Sequence, residues 1–297
     1  MTEQDRKAIM IAMVAVLCWS TVATAFKLAL AEQSLYQLLW VANISTLVVL
    51  AAVLVFRGQL LTAFKTLNHR FGLILILGLL NPVAYYLVLF QAYDLLPAQV
   101  AQPINYTWAI TLSLLAIPYL GHKFSRRDGI SMLMAYSGVV FISFGGQASG
   151  QDISLWGIAL ALGSTLLWAA YWLLNTKDQR DPVLAIFQNF LVALPFTTFI
   201  FYQFDGHFQS SWPSLLSGIY VGFFEMGITF VFWLTAMRMA SRASIVSNLI
   251  FISPFLSLIL IATILGETIG ALTIVGLVAI VIALLYQNAG KKAASET

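Results

Sequence analysis

Residues Pro213 to Ala236 read PSLLSGIYVGFFEMGITFVFWLTA, a run of 24 residues with one carboxylate, Glu225, and no basic side chain. At a rise of about 1.5 Å per residue such a helix reaches roughly 36 Å, more than the ~30 Å hydrocarbon core of a bilayer. A helix on the surface of a soluble domain keeps a charged face for water. This one is apolar or aromatic nearly all round, which suits lipid. Nine further runs of similar length and composition occur along the chain. The ten spans lie near 8–29, 35–56, 71–93, 97–119, 129–146, 153–175, 183–204, 213–236, 243–265 and 269–288. The expected fold class is an all-α membrane protein with ten transmembrane helices.

The composition agrees. Of 297 residues, 60% are hydrophobic and 9% charged, far from the roughly 25% charged residues of a soluble domain. No segment between spans approaches domain size, so the function is expected within or across the membrane. The formal charge of +3 comes from bases scattered through loops. It does not form the clustered stripe that a phosphate backbone requires, so no nucleic-acid partner is expected. Cys18, the single cysteine, lies inside the first span and leaves no disulfide framework or thiolate metal cluster. That first span is too long for a signal peptide and lacks a small-residue cleavage site, so it is expected to be retained.

Orientation follows from the bases. With the N-terminus in the cytoplasm, the cytoplasmic segments hold Arg6, Lys7, Arg57, Lys65, Arg70, Lys123, Arg126, Arg127, Lys177, Arg180, Arg238, Arg242, Lys291 and Lys292, leaving only Lys27 outside. Eight or nine spans would spoil this alternation. Both termini are therefore expected in the cytoplasm, and the chain in the inner (plasma) membrane as a multi-pass protein.

An internal repeat also emerges. A shift of 144 residues sets the third span on the eighth: Gly78 meets Gly222, Asn81 meets Glu225, Tyr86 meets Phe230 and Ala92 meets Ala236. A shift near 149 sets Trp19 on Trp168, and one of 145 sets Leu120-Gly121 on Leu265-Gly266. We expect two five-helix repeats, 1–148 and 149–297, forming one transport unit. Because five is odd, the repeats must be inverted in the bilayer, a construction typical of secondary transporters with a binding site near the midplane.

Glu225 is the carboxylate deepest in the membrane, about 11 residues into its span. Exposing an ionised acid to lipid there costs roughly 2.5–3.5 kcal/mol on insertion scales. It must face protein or water, or carry a proton. That makes it a candidate coupling group or anchor for a substrate ammonium, set against a neutral acid bonded to a neighbouring helix. Its face continues through Thr229 and Trp233 at i+4 and i+8. At similar depth lie Trp19, Asn81, Tyr85, Asn105, Tyr106, Trp108, Trp168, Tyr171 and Trp172. Interfacial belts account for Trp156 and Trp212 but poorly for these mid-span rings. The competing account of any single ring is ordinary packing. As a set, rings with a few amides suit an amphipathic organic solute. We take Trp19, Asn81, Tyr85, Asn105, Trp108, Trp168, Tyr171 and Asn248 as candidate substrate-binding residues. Pro82, Pro103, Pro195 and Pro254 lie inside spans, where each frees a carbonyl and favours a kink. With Glu225 they form the candidate coupling and gating set.

Other chemistry is disfavoured. His69, His122 and His207 all fall in loops, so no intramembrane histidine cluster exists for metal or acid–base work. There is no Gly-rich phosphate loop ending in Lys-Ser or Lys-Thr, which excludes ATP as the direct power source in this chain. No catalytic set shares one depth, so the protein is not expected to be an enzyme. No metal and no cofactor are expected.

Five-plus-five inverted helices, Trp19-Ser20-Thr21 early in the first span and Leu265-Gly266-Glu267-Thr268 before the last resemble the EamA-type branch of the drug/metabolite transporter superfamily. The first half departs from that signature, with Leu120-Gly121-His122. Within the superfamily, the aromatic midplane and Asn81-Pro82-x-x-Tyr85-Tyr86 are most similar to the YddG-type exporters of aromatic amino acids. The resemblance implies export of amino acids, aromatic and other neutral ones, by alternating access through a central aromatic-lined cavity. Drugs or other metabolites are the alternative cargo. The expected partners are such a solute and the lipid bilayer, with a monomer as the working state.

Overall fold

The computed structural model describes residues 2–120, 125–148, 153–208, 211–241, 246 and 248–295, excepting the side chains of 120, 147, 148, 248 and 288–295. Helices make up the regular structure among these residues. Seven are long and apolar enough to cross a membrane: α1 (Glu3–Glu32), α2 (Leu35–Phe56), α4 (Phe71–Leu95), α7 (Arg126–Gly146, continuing to Ala148), α8 (Leu155–Asn175), α9 (Pro182–Phe204) and α10 (Trp212–Met239). Further helices complete the order: α3 (Leu60–Lys65), α5 (Ala98–Tyr106), α6 (Trp108–Leu120), α11 (Ser253–Ile264) and α12 (Ala271–Ser295). The chain is thus a multi-pass membrane protein.

Local chemistry sets the helix starts. The side chains of Ser34, Ser154 and Ser211 accept the backbone N–H groups of Gln37, Gly157 and Ser214, three residues on. Asp181 does the same for Val183 and Leu184, with Pro182 in the first turn where no N–H is needed. Thr2 and Asp5 form a reciprocal capping box at α1. Large apolar side chains such as Leu133, Phe199 and Ile259 remain exposed, as lipid contact requires. Trp156 and Trp212 are exposed in the first turns of α8 and α10, as residues of an interfacial belt would be.

Several helices are interrupted. In α1 the break is at Thr21, whose hydroxyl donates to the Cys18 carbonyl at 2.7 Å. In α4 it is a wide turn over Leu79–Ala84, with Asn81 extended (φ −142°, ψ 112°) ahead of Pro82. Proline lacks the N–H and pushes the preceding residue out of the helical region. A second wide turn, Val221–Gly227, interrupts α10 without any proline. The span expected near 97–119 is two helices, α5 and α6, joined at Thr107, with Pro103 inside α5. Pro195 sits within an unbroken α9. Pro254 falls in the first turn of α11, just after a tighter turn over Asn248–Ile252.

The chain forms two compact units, each built from two separated stretches of the sequence. The first comprises Met1–Leu87 and Gln179–Leu260, the second Val88–Asp178 and Ile261–Thr297. In the first unit α2 packs on α9 and on α10, and α1 packs on α10. Close backbone approach explains two glycines. A Cβ on Gly78 would lie 2.5 Å from the Asn189 carbonyl oxygen of α9, and one on Gly222 would clash with the Ala42 carbonyl of α2. Small residues at such crossings are how helices associate in lipid, where burial against lipid tails provides little drive. In the second unit α12 runs along α7, while α8 packs on α5 and α6.

Candidate functional site

In the first unit the acid and the rings are held by different neighbours. Glu225 lies in the wide turn of α10 and is half-buried. The buried Tyr86 of α4 donates its hydroxyl to Glu225 Oε1 at 3.1 Å. Trp19 of α1 meets Phe230 edge-on at 5.4 Å between centroids and Trp233 at 5.3 Å. Glu225 therefore faces α4, whereas Trp233 faces α1. The single face running from Glu225 through Thr229 to Trp233 is broken by the wide turn, because extra residues per turn shift the phase of everything that follows. Thr229 is fully buried, and its hydroxyl has no hydrogen-bond partner among the described residues.

Asn81 and Tyr85 belong to the same unit. Tyr85 is buried and packs edge-on against Tyr86 at 4.8 Å. Asn81 is buried, and its Oδ1 has no partner among the described residues. On α1, Ser20 Oγ donates to Val16 O at 2.7 Å and reaches Ser253 Oγ of α11 at 3.5 Å. The wide turn of α10 is secured by α2. Thr46 Oγ1 lies 2.8 Å from Ala42 O and 2.9 Å from Gly222 O, two acceptors sharing one proton, and Ser45 Oγ donates to Ile219 O at 3.0 Å. Asn248 was expected to bind substrate. Its side chain lies outside the described residues.

In the second unit α6 and α8 bring together a cluster of four rings. Trp108 stands 6.4 Å from Trp168, edge-on, and 6.4 Å from Trp172, nearly parallel at 19°. Trp168 stacks on Tyr171 at 5.5 Å and meets Trp172 at 6.0 Å. Trp168 and Tyr171 are buried, whereas Trp108 and Trp172 keep part of their surface open. Beside the rings runs a row of neutral polar links. Asn105 Nδ2 donates to Ser164 Oγ at 2.9 Å, and the Thr111 and Thr165 hydroxyls are 3.0 Å apart. The unit's described carboxylates Asp94, Asp128, Asp178 and Glu267 all sit at helix ends or in loops, away from mid-helix.

Of the binding residues expected from sequence, the structure thus gathers Trp108 of α6 and Trp168 and Tyr171 of α8, with Asn105 of α5 bonded to Ser164 on the same α8. Trp19 is grouped with Phe230 and Trp233, and Tyr85 with Tyr86. Tyr86, Phe230 and Ser164 were not singled out for the site. The shift of 144 residues touched Tyr86 and Phe230 without showing their contacts, and Ser164 could have been found four residues before Trp168 on the same helical face.

The Leu265-Gly266-Glu267-Thr268 motif has a structural task. The Glu267 carboxylate accepts the backbone N–H groups of Ala98 at 2.8 Å and Gln99 at 3.0 Å, the first donors of α5. Gln99 Nε2 donates in turn to Thr268 O at 2.9 Å. Orphan donors at a helix start are thus satisfied from another loop. The corresponding Leu120-Gly121-His122 of the first half lies, apart from the Leu120 backbone, outside the described residues.

Comparison with known proteins agrees with this architecture. The sequence profile of the EamA-like transporter family matches twice, over residues 6–144 and 155–288. The chain is 23% identical over 231 residues to the uncharacterized transporter YvbV of Bacillus subtilis (strain 168), the match covering 76% of this chain and 75% of that one. A solved crystal structure superposes with a TM-score of 0.68 at 20% identity, over 94% of this chain and 95% of the other, a likeness of fold.

Proposed function

This chain belongs to the EamA-like transporter family, and from that premise we propose that it exports amino acids, aromatic and other neutral ones, across the inner membrane. The protein is a membrane transporter of the drug/metabolite type; cargo, direction and mechanism are our reading. The observation that carries it is the ring cluster of Trp108, Trp168, Tyr171 and Trp172, uncharged and open on two of its rings. Rings offer broad apolar contact at low conformational cost, and neutral amides and hydroxyls nearby can orient a polar head.

The transport cycle is one of alternating access by a monomer of ten spans, built as two inverted repeats. Two matches to one family profile support the repeat. So do the wide turns at Leu79–Ala84 and Val221–Gly227, which surround the positions Asn81 and Glu225 that a shift of 144 residues superposes. Glu225 carries the coupling proton, and the breaks near Pro82, Pro103 and Pro254 supply bending points, with Pro195 a further one. The subgroup is the YddG-type aromatic amino-acid exporters.

The test is flux from proteoliposomes loaded with radiolabelled phenylalanine, methionine, threonine or lysine, with and without a proton gradient. Protein-dependent release of phenylalanine and methionine is expected. No release of any of the four rejects the amino-acid reading and favours drugs or other metabolites as cargo.

A further inference from the structure

Trp172 carries an indole N–H that is buried yet has no hydrogen-bond partner among the described residues. Buried indoles normally find an acceptor, because leaving the donor unmade costs its full desolvation. A serine or threonine in the same position could turn back to its own helix carbonyl, as Ser164 does to Ala161 O at 2.7 Å. An indole has one fixed donor and no acceptor, so it cannot be satisfied this way.

Its surroundings narrow what could satisfy it. Trp108 lies nearly parallel to Trp172, Trp168 and Tyr171 stand edge-on to it at 6.0 and 6.3 Å, and Trp108 and Trp172 are the two rings left partly open. The described acids of this unit are at helix ends and in loops. The neutral groups beside the rings bond to one another, Asn105 Nδ2 to Ser164 and Thr111 to Thr165, and no described group accepts from the indole. A solute that lays an apolar or aromatic part on the open part of Trp172 settles on the same indole whose covered N–H lacks an acceptor, and reaches that donor by displacing what covers it.

We propose that the Trp172 indole N–H is a specificity determinant that hydrogen-bonds a carboxylate or carbonyl oxygen of the transported solute. The proposal rests on the amino-acid reading above and adds to it which end of the solute the second unit recognises. A solute bearing an oxygen acceptor beside its apolar group gains this bond. An amine of the same shape without the oxygen leaves the donor unmade and binds more weakly.

The experiment compares binding of phenylalanine, phenylalaninamide and phenethylamine to the purified full chain and to Trp172→Phe, which removes the N–H and keeps a ring. The unsubstituted chain should bind the first two about ten-fold more tightly than the third, the worth of one bond to a charged or strongly polar group. Trp172→Phe should bring all three within about two-fold of one another. Equal preference for the oxygen-bearing solutes in both proteins overturns the assignment while leaving the amino-acid reading intact. Failure of the unsubstituted chain to bind any of the three rejects both. If Trp172→Phe does not fold, the indole 15N–1H spectrum of the unsubstituted chain decides. One indole proton should move downfield with phenylalanine and not with phenethylamine; no such difference overturns the proposal.

Discussion

The two compact units solve the problem of polarity inside a membrane in opposite ways. The first places its acid, Glu225, in a distorted turn and gives it a tyrosine hydroxyl. It then ties helix to helix with side chain–backbone bonds such as Thr46 to Gly222 and Ser45 to Ile219. The second has no mid-helix carboxylate among its described residues and concentrates four rings with neutral links, placing the acid Glu267 at a helix start. The lesson is one of cost. An acid at mid-depth needs a protein partner or a proton, so it fits a unit rich in cross-helix donors. A ring cluster carries no net charge to compensate, only the indole N–H of Trp172, and can be left open to a solute.

The contrast predicts different losses on mutation. The largest is expected for Glu225→Gln, which keeps a hydrogen-bonding group but cannot exchange a proton. Gradient-driven accumulation in proteoliposomes should vanish, while exchange without a gradient continues. Undiminished accumulation would remove coupling from the first unit. Trp168→Ala should lower both driven and passive flux at least about ten-fold, the scale of one large binding contact. If only driven flux fell, the two units would not differ as argued.

Smaller effects concern packing and capping. Gly222→Val should drive a side chain into the Ala42 carbonyl and destabilise the first unit by about 1–3 kcal/mol, the usual cost of overpacking. Thermal unfolding in detergent reads this directly, and an unchanged midpoint would contradict the close approach of α2 and α10. Glu267→Ala should cost about 0.5–2 kcal/mol through the uncapped start of α5, with faster hydrogen exchange at Ala98 and Gln99. Protection unchanged at both amides would show that the cap does not hold α5. The smallest change is expected for Arg238→Ala. Its partly exposed ion pair with Asp181 at 3.2 Å is worth less than about 1 kcal/mol and weakens with salt.

Much of this was readable along the chain because lipid imposes a length and a composition on each span. Pro82 announces the break in α4, since a missing N–H and a steric clash are properties of the residue itself. The wide turn of α10 is announced by nothing comparable; Gly222 and Gly227 permit it, but its bonds run to Ser45 and Thr46 of α2. For that reason the expected face from Glu225 to Trp233 splits between α4 and α1. Glu267 was legible as a motif, but its partners are 168 and 169 residues away in the chain.

The amino-acid sequence by itself determined that this protein lives in a membrane, where its helices run, and that rings and a single acid occupy mid-span. Those properties follow from local hydropathy and helix geometry, which each segment carries alone. Only the tertiary structure decided that Tyr86 serves Glu225, that Trp108, Trp168, Tyr171 and Trp172 form one cluster, and that each compact unit joins two separated stretches of the chain. In lipid, helix association is driven by close packing and interhelical bonds, and those depend on which helices meet.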